Sequence, residues 1–167
     1  MPFPDDLLDQ AKLLVHLDPN RPKQANLRRA VSTAYYAVFH LLAADAAAQA
    51  SAARPAGLSI KVQRALDHKE MKDAAKGFKS SNLPEIIAPL INGGLPVELI
   101  AVADAFIRLQ EERHRADYDL DSSFDRAKAQ GAVVQATRMF KDWATVRNSD
   151  EAKVFLAALM FHKRWNR

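Results

Sequence analysis

The chain has 167 residues, which is enough for one domain that buries about 70% of its unfolded surface. Hydrophobic residues make up 49% and charged residues 26%, and the lack of cysteine excludes disulfides, thiolate metal sites and cysteine nucleophiles. The formal charge of +4 favours encounter with phosphate-bearing partners but says nothing about the fold.

The start, "MPFPDDLLDQ", places an acidic pair where an export signal carries basic residues. Every apolar stretch is interrupted by charge well before it could span a bilayer, so no membrane partner is expected. Together with the missing cysteines this predicts a cytoplasmic protein.

Helical spacing dominates and strand alternation is nearly absent. A first helix is expected from about Asp5 to His16, with Leu7, Ala11, Leu14 and Val15 on one face and acids in its first turn. "DPNRP" stops it. A long second helix follows from about Pro22 to Ala50, with an apolar stripe of Leu27, Ala30, Val31, Ala34, Val38, Leu41 and Leu42. Its end, "AADAAAQASAA", has little to pack with and is expected to fray.

"LSIKVQRALDHKEMKDAAKGF" reads as one helix or two short ones. "KSSNLPEIIAPLINGGLP", rich in proline and glycine, is the expected long loop. Pro96 opens the next helix as a first-turn residue, and Leu99, Val102, Phe106 and Leu109 form its inner face. "DLDSSF" is a break, with Ser122 and Asp125 spaced as a short-armed capping box. A helix from about Ser123 to Val146 buries Phe124, Ala127, Val134 and Phe140, and a last one is capped by Ser149. The sum is an all-α, antiparallel up-and-down bundle of four to six helices forming a single domain over 1–167.

Two stretches carry residues suited to chemistry. In "LRRAVSTAYYAVFHLL", Arg29, Thr33, Tyr36 and His40 fall on one helical stripe, which offers a cation, hydroxyls and an imidazole to a phosphate or a base. Tyrosine and histidine at those positions also serve as core-edge residues. In "RLQEERHRADYD", Arg113 and Asp117 stand four apart, as do His114 and Tyr118. An Arg–Asp pair at a helix end is ordinary surface structure. The same residues offer Arg113 as a phosphate clamp and His114 as a proton-transfer group beside a ribose 2′-hydroxyl. No His-x-x-x-His spacing occurs, and neither a metal nor any other cofactor is expected.

The tyrosine-pair segment "NLRRAVSTAYYAVFHLL" followed by "RHRADYD" resembles the HEPN domains, in particular a small stand-alone branch with an R-x-x-A-D-Y signature. Arg113, Ala116, Asp117 and Tyr118 match that signature, and the resemblance covers about residues 5–145, with an extra C-terminal helix at about 149–165. It implies a helical bundle that often forms homodimers. Members resemble RNA- or nucleotide-binding modules working beside a nucleotidyltransferase-like or antitoxin partner, or metal-independent endoribonuclease toxins.

The ribonuclease branch carries an arginine, then four to six residues, then a histidine. Tyr118 and Asp119 occupy the first of those places after Arg113, and only Arg108 with His114 fits formally. On a continuous helix those two side chains point about 120° apart. The pattern therefore reads as degenerate. The expected function is RNA or nucleotide binding through Arg29, Tyr36, His40, Asp117 and Tyr118. The alternative is cleavage through Arg113, or Arg108, with His114.

Overall fold

The computed structural model describes residues 2–51 and 57–165, and among them there is no strand. Seven helices build a helical bundle: α1 (Phe3–His16), α2 (Gln24–Ala50), α3 (Leu58–Ala65), α4 (His68–Lys79), α5 (Val97–Tyr118), α6 (Arg126–Val146) and α7 (Asp150–Trp165). The count exceeds four to six because the segment 58–79 forms two helices. Leu66 is extended, and Asp67 starts α4 by accepting the backbone N–H groups of Lys69 and Glu70.

α2 is the hub, packed against α1, α3, α5, α6 and α7. A helix enclosed on so many sides must be apolar nearly all round. Leu27, Ala30, Val31, Ala34, Tyr35, Val38 and Leu42 are all buried, and alanines at 30, 34, 37, 43 and 46 let neighbouring backbones come close.

This corrects the expectation that the alanine-rich end of α2 frays. Ala43, Ala46 and Ala47 are fully buried. Small side chains there leave room for neighbouring helices, and three polar contacts lock the register. Asp45 accepts the Trp143 indole N–H at 2.7 Å and an Arg147 N–H at 2.6 Å, while Gln49 donates to the Lys153 carbonyl at 3.0 Å. Residues 52 and 53 of that stretch lie outside the described residues.

Other boundaries shift for local reasons. Pro96 is the residue before α5 and not its first helical residue. Ser122 does not form a capping box with Asp125: it bonds to Asp119, and Asp125 alone caps α6 through the Lys128 N–H at 2.7 Å. Phe124 is buried ahead of α6, held by Gln24, whose Oε1 accepts its N–H at 2.9 Å. Ala127 and Val134 are exposed, because the inward stripe of α6 runs through Ala129, Val133, Ala136, Met139 and Trp143. Ser149 caps α7 as expected, accepting the Ala152 N–H at 3.1 Å. The long loop between α4 and α5 contains one 3₁₀ turn, Ala88–Leu90, and is anchored by buried Ile87. No helix among the described residues is long and apolar enough to cross a membrane.

Candidate nucleic-acid site

The end of α5 exposes carbonyls that a helix cannot satisfy by itself. Arg28, from the first turns of α2, supplies the donors. Its Nη1 reaches the carbonyls of Ala116 and Asp119, both at 3.0 Å, and its Nη2 reaches that of Ser122. The guanidinium also lies over Phe124, 5.5 Å from the ring centre. A cation at a helix C-terminus suits the dipole as well. Arg28 thus fixes where the last turns of α5 sit against α2.

Those turns carry Arg113 and Asp117. Arg113 Nη2 donates to the Tyr36 hydroxyl at 2.7 Å. Its Nε lies 2.7 Å from Asp117 Oδ2 but off the N–H axis, making a close ion pair without an aligned hydrogen bond. The other oxygen of Asp117 accepts the Ser32 hydroxyl. Three rings surround the guanidinium, with centres 5.3 Å (Tyr36), 5.4 Å (Tyr118) and 6.0 Å (Tyr35) away. Burial opposes the cation, but Tyr36, Asp117 and Tyr118 outweigh it and hold the Arg113 pKa above its usual value.

Behind Arg113 lies a neutral aromatic layer. Tyr35 is fully buried and its hydroxyl is 2.6 Å from His68 Nδ1. Burial drives the phenol pKa far upward, so Tyr35 keeps its proton and the contact is a neutral hydrogen bond. His68 stacks on Phe39 with ring centres 4.0 Å apart. Burial lowers the His68 pKa, and nearby Arg113 lowers it further. His40, edge-on to Phe3 and Phe39, is also lowered by burial. Both imidazoles line a small apolar recess of about 350 Å³ with Ile60 and Leu66.

On the solvent side a shallow cleft of about 610 Å³ opens between α4 and α5, lined by Lys69, Lys72, Gln110, Arg113, His114 and Arg115. His114 and Tyr118 are both exposed, with ring centres 5.1 Å apart. Lys72 pairs with Glu111 at 3.0 Å and Arg115 with Glu112 at 3.1 Å, surface contacts weak enough for a phosphate to replace.

The structure therefore brings together Arg113, Asp117, Tyr36, Tyr118 and His114, with His40 one helical turn further along α2. Arg29 stands apart: it is exposed, and its neighbour Arg28 is the arginine turned toward α5. Arg108 pairs with Asp104 at 2.8 Å, and α5 is unbroken from Val97 to Tyr118, so Arg108 and His114 keep their divergent directions. Sequence reasoning missed Ser32, Tyr35, His68, Lys69 and Lys72. "DHKEMK" did hold a signal, since Lys69 and Lys72 are three apart behind a capping Asp67. Which helix they would face was not legible. Among the described residues no cluster of three or more His, Asp or Glu side chains could hold a metal ion.

No family model, curated protein or solved structure matches this chain.

Proposed function

We propose that the cleft beside Arg113 binds single-stranded RNA or a nucleotide, and that the chain is a HEPN-like, antiparallel bundle acting as a binding module. The observation that carries this is the exposed His114–Tyr118 ring pair at the edge of a cleft bearing Lys69, Lys72 and Arg115. Cations attract the phosphates, and exposed rings stack unpaired bases. The contacts Arg28–Asp119, Ser32–Asp117 and Tyr36–Arg113 join rising positions on α2 to falling positions at the end of α5, which supports the antiparallel reading. Arg113 itself serves as the anchor of the wall, since Tyr36 and Asp117 already hold its guanidinium. The HEPN resemblance further suggests a homodimer or a nucleotidyltransferase-like or antitoxin partner, in a cytoplasmic setting.

The second reading, a metal-independent ribonuclease toxin, is favoured by one observation: His114 is exposed at the mouth of the same cleft. Fluorescence anisotropy with a labelled single-stranded RNA of about ten nucleotides separates the two. The binding reading expects Kd to rise at least about tenfold in the His114→Ala/Tyr118→Ala variant, with the RNA intact. Equal affinity of variant and wild type removes it. RNA cleavage in the presence of a chelator, abolished by His114→Ala with the helical circular dichroism spectrum unchanged, establishes the ribonuclease instead.

A further inference from the structure

Arg115 lines two depressions, one on each side of the end of α5. The first is the cleft described above. The second is a groove of about 480 Å³ between the end of α5, the connection to α6, and α6 itself. Its walls include Ser122, Lys128, Gly131, Val134 and Arg138. From the binding reading of the cleft, we infer that a single strand of RNA crosses Arg115 and continues into this second groove.

Three features support a nucleic-acid strand as the occupant. First, cations recur along the path. Lys69 and Lys72 lie on one side, Lys128 and Arg138 on the other, with Arg115 between them, while the acids among the lining residues, Glu111 and Glu112, make only surface pairs with Lys72 and Arg115. Second, Lys128 and Arg138 are ten residues apart on α6, which separates their positions by about 15 Å along the helix axis. That is a track and not a point, and it suits the repeating charge of a phosphate backbone better than a single anion. Third, the floor is open and partly apolar. A Cβ built on Gly131 would meet nothing within 4 Å, and Val134 is 40% exposed, leaving a smooth surface for a sugar or base face.

Gly131 also provides a test that spares the fold. It sits inside α6 with no steric constraint on a side chain, so Gly131→Glu replaces a poor helix former with a good one. The new carboxylate projects into the groove. Affinities are measured by anisotropy for labelled single-stranded RNAs of about three and about ten nucleotides, over a range of salt. In the wild type the longer RNA binds more tightly. In Gly131→Glu, and in Lys128→Ala/Arg138→Ala, that advantage of length falls by about tenfold, and the salt slope for the longer RNA drops by about 0.7 per lost phosphate contact.

The inference is overturned if the advantage of length survives in Gly131→Glu. It is also overturned if an oligoglutamate of matching charge binds the wild type as tightly as the longer RNA does. Failure of the underlying cleft reading looks different: His114→Ala/Tyr118→Ala then leaves both lengths unaffected. If the wild type binds neither RNA, cleft and groove readings fall together.

Discussion

The Tyr35 hydroxyl and His68 Nδ1 lie 2.6 Å apart behind the Arg113 cluster, and together they tie the middle of α2 to the first residue of α4. The phenol is buried too deeply to ionise, so the bond joins two neutral groups. The bond orients the His68 ring against α2.

Tyr35→Phe should therefore destabilise the protein by about 1–3 kcal/mol, the usual cost of leaving a polar partner away from water unpaired. The ring stays, so packing against Phe39 and Phe106 is kept and a cavity does not confuse the result. Urea denaturation followed by circular dichroism gives the value. No measurable loss would mean that water satisfies His68 once the hydroxyl is gone.

Stability should also fall as the solution becomes mildly acidic. His40 and His68 both have folded pKa values below the ordinary 6.5, in each case mainly through burial. At His68, Arg113 and His40 push the same way and Asp67 opposes them. As pH falls, the unfolded chain takes up these protons first. Their contribution is intact above about 6.5 and is lost as the pH falls through the folded values. The carboxylates with lowered pKa values, such as Asp104 and Asp150, act only below about 3.8, so the decline that begins near 6.5 starts with the histidines. Urea midpoints at a series of pH values should decline through the histidine window, less steeply in His40→Gln. An unchanged slope in that variant would assign the decline elsewhere.

Asp45→Ala should cost about 1–3 kcal/mol. It strips the acceptor from the indole N–H of Trp143, which is 1% exposed, and also releases Arg147. Trp143 dominates the buried tryptophan signal, so its emission should shift along with the thermal midpoint. Asp45→Asn, which keeps an acceptor, should recover most of the loss.

Gly131→Ala should stabilise α6 by up to about 1 kcal/mol, since alanine replaces glycine within a helix with no clash. For a chain of this size that raises Tm by about 2–4 °C in a differential scanning measurement. A lower Tm would show that the helix needs the bare backbone at this point.

The helices themselves were determined by the sequence, because local periodicity and caps act within a few residues of each other. The inner face of α5 from Leu99 to Leu109 and the Ser149 cap of α7 are buried or bonded as their spacing requires. The pairing of Arg113 with Asp117 was legible for the same reason, since residues four apart share a helical face. The tertiary structure alone decided which of two neighbouring arginines turns inward. Arg28 and Arg29 differ by about 100° around α2, and only the position of the α5 carbonyls makes Arg28 the one turned inward. It also decided that a run of alanines is core rather than a fraying end, because an alanine face is stable only when other helices come close enough to cover it. The partnership of Tyr35 with His68 and the lysines of α4 at the cleft depend on contacts between residues 33 or more apart, which no local pattern encodes.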